Sequence, residues 1–289
     1  MSGRLRGVVQ VFVNPYEISA TLAAGALLAA GLVKGVTGIG YATIAMPLLA
    51  IAVGLEKALA LVVVPAIVSN VAVFADAGNV FATLKRFRLF YLGILPGIAG
   101  GTALLGVVNT RFATDILALV TLAYVALAVV RPDFSLAQRR ERSLALPAGV
   151  LNGVLTGLTG SQILPLVPYM MALRLDAQAQ VVAINLAVTI GSGVLAVALL
   201  ASGAMTTELL SLSCAGAVPA VAGTLVGNAV RGRLPVGAVR RLTLAMLVAI
   251  AIGLGWRSAC EVALGPLCAS WHDHAFGKTP GVGEVAPTQ

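Results

Sequence analysis

Lys34 is a cation set in an otherwise apolar stretch and surrounded by glycine: Gly31-Leu-Val-Lys34-Gly35-Val-Thr37-Gly38-Ile-Gly40, running on into Met46-Pro47. A lysine inside a membrane span costs ~2.5–3.5 kcal/mol on insertion scales, so it faces protein or water and needs a partner there. No carboxylate offers itself at mid-span, because Glu17, Glu56, Asp76, Asp115 and Asp176 all fall near span ends. The chemistry this favours is capture of an anion by a buried ammonium, against the alternative of a side chain that snorkels to one surface. A second segment of the same build, Gly149-Val-Leu-Asn152-Gly153-Val-Leu-Thr156-Gly157-Leu-Thr-Gly160, leads into Leu164-Pro165 and places Asn152 where the first has Lys34. Asn152 and Gln162 carry carboxamides suited either to donating to an oxyanion or to holding irregular backbone.

So much glycine predicts that the helix opens in both segments. Glycine admits positive φ and lets a ligand approach the backbone. Non-helical backbone at membrane depth survives where it is buried in protein or lines a cavity. The helix restarting near Tyr41–Ile44, and its counterpart near Ser161–Ile163, would each present unpaired N–H groups and a positive dipole end to an anion. The candidate substrate-binding set is therefore Lys34, Gly35, Thr37, Gly38, Gly40 and Tyr41 from the first segment, and Asn152, Gly153, Thr156, Gly157, Gly160, Ser161 and Gln162 from the second. Asn70 and Asn185 join it from the middle of the following spans, where bonding between helices is the competing role. Thr37, Thr156 and Ser161 equally suit backbone capping, Tyr41 suits packing, and Gly31/Gly35 and Gly149/Gly153 suit close helix contact.

The elements that must position these groups are membrane helices. Apolar residues make up 59% of the 289-residue chain and charged residues only 10%, against about 25% charged in soluble domains; the mean hydropathy is +0.98. Apolar runs recur at Ala58–Ala75, Tyr91–Val108, Ala113–Val130, Gln180–Leu200, Leu209–Val230 and Gly237–Gly255, each long enough to cross a ~30 Å hydrocarbon core. The stretch from Ile18 follows Arg4 and Arg6 but lacks a small-x-small cleavage site, so it reads as mature sequence rather than a signal peptide. The net charge of +8 clusters at span ends, where it sets topology; no nucleic-acid-binding pattern accompanies it.

Chemistry of other kinds is unsupported. The three cysteines, Cys214, Cys260 and Cys268, form no CxxC motif, so no metal or haem site is expected, although Cys260 and Cys268 suit a disulfide if the C-terminus faces an oxidising space. HExxH, GxSxG and P-loop patterns are absent, and the two histidines, His272 and His274, lie in the tail. The expectation is a protein that is not an enzyme and carries no cofactor.

The two halves of the chain match beyond the glycine segments. Gly54-Leu55-Glu56 corresponds to Arg174-Leu175-Asp176, and Pro96-Gly-Ile-Ala-Gly100 to Pro219-Ala-Val-Ala-Gly223. If each broken segment (Ile18–Val53 and Leu144–Leu173) is a hairpin of two short helices, three full spans follow each and the repeats are inverted. The loop with Arg231, Arg233, Arg240 and Arg241 then joins Lys85, Arg86, Arg88, Arg131, Arg139, Arg140, Arg142 and Arg174 on the cytoplasmic side, as positive-inside placement requires. A single-span reading puts that loop outside. The expected fold is thus an all-α polytopic membrane protein of two inverted repeats, each a glycine-broken helical hairpin followed by three transmembrane helices. Its parts are an N-terminal segment 1–17, repeat 1 over 18–130, a basic linker 131–143, repeat 2 over 144–256, and a partly disordered tail 257–289. Both termini fall on the periplasmic side.

At these residues the chain resembles the TauE/SafE family of sulfite exporters, also called the toluene-sulfonate uptake permease family. GLVKGVTGIG…MPLL is similar to that family's first glycine-rich motif and GVLNGVLTGLTG…LPLVPYM to its partner. The resemblance covers about residues 18–256. It implies a bacterial inner-membrane carrier of sulfur oxyanions or organosulfonates such as sulfite, thiosulfate or sulfoacetate. Where the family motifs continue in glycine, this chain has Tyr41-Ala42 and Ser161-Gln162. Paired interrupted segments of this kind mark a transporter's midplane site. The expected partners are a small anion and the lipid bilayer, without nucleic acid; proton or sodium as coupling ion, the direction of transport and the oligomeric state stay open. The alternatives are a carrier of a non-sulfur organic anion and a membrane assembly protein that transports nothing.

Overall fold

The computed structural model describes residues 15–75, 80–130, 136, 138–231, 233, 245 and 247–253. Among these residues no strand occurs. The helices are α1 (Pro15–Thr37), α2 (Tyr41–Val53), α3 (Leu55–Ala75), α4 (Val80–Arg86), α5 (Arg88–Leu105), α6 (Thr110–Val130), α7 (Gln138–Thr159), α8 (Leu166–Ala172), α9 (Ala177–Ala201) and α10 (Thr207–Arg231). Residues 247–253 are helical as well; the rest of the run Gly237–Gly255 apart from residue 245, residues 131–135 and 137 of the linker, and the tail with Cys260 and Cys268 lie outside the described residues.

Among the described residues, five helical stretches are long and apolar enough to cross a membrane: Ala20–Thr37, Arg88–Leu105, Thr110–Val130, Ala177–Ala201 and Thr207–Arg231. Their outward faces carry large apolar side chains, Leu92, Leu119, Val197, Val218 and Leu225 among them. In water such a surface would associate; in a bilayer it is the solvated face.

The structure departs from the expected hairpins of two short helices, because α1 and α7 run 23 and 22 residues. The helix after the second glycine segment starts at Leu166, not near Ser161–Ile163. Pro165 has no N–H to give a helix and disfavours helical geometry at Leu164, and the bond between them is cis. The short α8 therefore replaces an expected counterpart of α2. The basic turn Lys85–Arg86 is itself helical, as the end of α4. There Arg86 grips Glu141 of α7 through two bonds of 3.1 Å.

Two glycine seams hold the bundle. A Cβ on Gly31 or Gly35 of α1 would fall 2.2 Å from the carbonyl oxygens of Ala220 and Thr224 on α10. Gly223 and Gly227 of α10 stand equally close to Leu28 and Leu32. The second seam joins α7 to α5. There Gly149, Gly153 and Gly157 approach the carbonyls of Phe90, Ile94 and Ile98, while Gly93, Gly97 and Gly101 approach those of Leu146, Val150 and Val154. Lipid chains are as apolar as leucine, so backbone contact of this kind, opened by small residues, drives helix association in a membrane. Each seam joins a helix from before the linker to one from after it. The buried helix α9 runs between α3 and α5, and accepts Tyr91 Oη at the Ala183 carbonyl, 3.1 Å away.

Candidate functional site

The first glycine segment leaves the helix over residues 38–40. Gly38 (φ 81°) and Gly40 (φ 90°) take left-handed conformations that cost a residue with a Cβ ~1–2 kcal/mol. Thr37 ties the turn locally, its hydroxyl placed to donate to the carbonyl of Val33 (2.8 Å) or of Ile39 (2.6 Å). Asn185 of α9 ties it from across the bundle, donating to the Gly38 carbonyl at 2.9 Å. α2 then begins at Tyr41 behind Gly40, which has no side-chain cap to offer. Its first N–H groups and positive dipole end lie next to the turn.

Beneath the turn lies Lys34, in the last turn of α1 and 1% exposed. Its ammonium donates to Ser69 Oγ at 2.9 Å and to Asn70 Oδ1. Asn70 in turn donates to the Asn185 carbonyl (3.1 Å) and the Thr189 hydroxyl (2.6 Å). Among the described residues no carboxylate bonds this lysine; its partners are the neutral Ser69 and Asn70. The ammonium also lies 5.9 Å from the centre of the Tyr41 ring, within cation–π range. The Tyr41 hydroxyl is buried and has no partner among the described residues. The outcome is a desolvated positive charge held by neutral groups, beside an uncapped helix start and an unused phenol donor. A partner of negative charge would complete it.

Asn70 and Asn185 thus belong to the same cluster as Lys34, Thr37, Gly38, Gly40 and Tyr41. Ser69 and Thr189 complete the network, and both lack a sequence signal because an isolated hydroxyl in a span ordinarily bonds its own helix. Arg231 is a further member that sequence reasoning placed only in a cytoplasmic loop. Its guanidinium reaches to within 3.9 Å of where a Gly38 Cβ would stand, because the α1–α10 seam brings the end of α10 beside the turn. Arg231 is exposed and Gly38 buried, while Ile39 and Gly40 are half-buried. An exposed cation and a buried one therefore lie near one turn.

The second segment is built differently. Gly35, Gly153 and Gly157 lie inside regular helix, in the seams. Thr156 donates to the Asn152 carbonyl at 2.7 Å within α7, and Ser161 N–H donates to Thr159 Oγ1 at 3.2 Å. Gly160 (φ 68°) ends the helix and lies against Met46 of α2 and Leu59 of α3. Asn152 is fully buried and spends its amide nitrogen on the Leu164 carbonyl, 3.3 Å away. Gln162 donates to Ser192 of α9 at 3.1 Å. The carboxamide oxygens of both are buried and unpartnered among the described residues. Asn185 and Ser192, which hold the two segments to α9, stand two turns apart, about 10 Å along the helix. Among the described residues no group of His, Cys, Asp and Glu side chains is placed to hold a metal ion.

No match was found among curated proteins or among solved structures. The family model for the sulfite exporter TauE/SafE matches residues 22–254, which takes in both glycine segments, both seams and the Lys34 cluster. With the apolar helices, this makes the protein a multi-pass membrane protein of a transporter family, and the chain belongs to the TauE/SafE sulfite exporter family.

Proposed function

We propose that the protein is a secondary transporter of a small sulfur oxyanion or organosulfonate, of the sulfite, thiosulfate or sulfoacetate class, in the bacterial inner membrane. The single observation carrying this is the Lys34 ammonium, buried on neutral partners beside the Gly38–Gly40 turn. The anion lies at that turn, with Lys34 as its counter-charge, the Tyr41 hydroxyl and the first N–H groups of α2 as donors, and Arg231 at the mouth. A buried lysine without an anion is costly, and supplying its countercharge is how substrate binding is stabilised. Access alternates by rocking of the two repeats about this site, with the glycine seams, each formed between the repeats, as the contacts that shift. The inverted arrangement, with both termini periplasmic, is supported by the cytoplasmic placement it gives to Arg231 and Arg233. A cysteine introduced beside Arg233 is then labelled from the cytoplasmic side; labelling from the periplasm would overturn the inverted arrangement.

The test of the function is uptake of radiolabelled sulfite into proteoliposomes, run beside sulfate, thiosulfate, sulfoacetate and simple carboxylates. Saturable flux of a sulfur anion that is lost in Lys34→Ala supports the reading. Flux of a carboxylate alone would move the protein to the non-sulfur carriers, and normal sulfite flux in Lys34→Ala would remove the lysine from the mechanism.

A further inference from the structure

The second glycine segment offers the opposite chemistry to the first. Asn152 Nδ2 faces the Leu164 carbonyl, and a carbonyl only accepts, so the amide orientation is decided and the free atom is the oxygen. Gln162 Nε2 lies 3.1 Å from the Ser192 hydroxyl, and the Gln162 oxygen is buried without a partner among the described residues. Gly191 keeps that oxygen in place by omission: a Cβ there would stand 2.8 Å from Gln162 Oε1. Asn152 is 0% and Gln162 4% exposed, so two buried acceptors flank or lie within the non-helical stretch 160–165. α7 ends at Thr159, and its negative dipole end faces the same stretch. Buried acceptors without donors are costly, and an anion would raise that cost.

We propose that this stretch binds a monovalent alkali cation, with Asn152 Oδ1 and Gln162 Oε1 among its oxygen ligands. Neutral oxygen donors and irregular backbone carbonyls are the ligand set that alkali ions take in interrupted membrane helices. The charge is limited to one because the site has no carboxylate of its own: Asp176, the sole acidic residue from Asn152 to Ser192, is exposed and accepts from Ala179 N–H as the cap of α9. A role as counter-cation of the transported anion rests on the function proposed above; binding of the cation does not.

The experiment measures melting temperature of the purified full-length protein in NaCl, KCl and choline chloride at equal ionic strength, without sulfur anions. Ligand binding to the folded state raises stability by mass action. The expected result is a saturable rise in Na⁺ or K⁺ over choline that is lost in Gln162→Met and in Asn152→Leu. Gln162→Met decides the matter if Asn152→Leu does not fold. Equal melting in the three chlorides, as a bound water would give, overturns the proposal, and so does a cation response unchanged in Gln162→Met. The sulfite response in choline chloride, compared between wild type and Lys34→Ala, reports the anion site separately. Sulfite without cation response therefore sinks only the cation site, and the reverse result sinks only the transport reading.

Discussion

Lys34 and Asn70 are bonded to each other across α1 and α3, and Asn70 passes the connection to α9 through the Asn185 carbonyl and the Thr189 hydroxyl. One carboxamide thus accepts from the charge and donates to the central helix. The position of the lysine relative to the turn is therefore set by three helices together, and its partners are all uncharged.

Replacing Lys34 by methionine removes the charge and keeps the stem. Charged hydrogen bonds contribute about 1.5–3 kcal/mol, so anion affinity should fall by roughly 10- to 100-fold. Calorimetric or thermal-shift titration with sulfite reads this directly. Affinity within a factor of two of wild type would contradict the assignment.

Asn70→Leu leaves Lys34 with Ser69 alone and removes the donations from Asn70 to the Asn185 carbonyl and the Thr189 hydroxyl. The loss should be about 1–3 kcal/mol of stability, seen as a lower melting temperature, together with weaker anion binding. A variant that melts lower yet binds sulfite normally would confine Asn70 to a structural role.

Two glycines in the same helix should behave in opposite ways. Gly35→Ala puts a methyl 2.2 Å from the Thr224 carbonyl, forces α1 off α10, and should cost at least ~1–3 kcal/mol. Gly25→Ala meets nothing within 4 Å and should be neutral or gain up to ~1 kcal/mol from helix propensity. Melting curves of the two variants side by side provide the check.

Arg231→Gln removes the exposed cation beside Gly38. Its effect should fall on capture of the anion, raising KM by roughly 3- to 10-fold with little change in maximal rate. The difference should shrink as salt screens the charge. Flux assays at low and high ionic strength decide it; an effect confined to maximal rate would place Arg231 in the conformational step instead.

Much of this protein could be read from its residues in order. The apolar runs require membrane helices because their length matches the bilayer, and the two glycine-rich segments mark where helix opens because glycine takes positive φ at no steric cost. Lys34 stands out because a lysine among apolar neighbours needs a partner. What the residues do not carry is which glycines open a turn and which close a seam. Gly35 and Gly38 are alike locally, and only the approach of α10 separates them. The identity of the lysine's partners was likewise hidden: Ser69 and Asn70 lie on another helix and bonding between helices leaves no local pattern. The helix start at Leu166 was missed because the effect of Pro165 outweighed the analogy with Tyr41. The nearness of Arg231 to Gly38, and the burial of two acceptor oxygens beside 160–165, were decided by tertiary packing alone. A sequence sets the kind of each group, whereas its free valences depend on which distant backbone and side chains the fold brings within 3 Å or so of hydrogen-bonding reach.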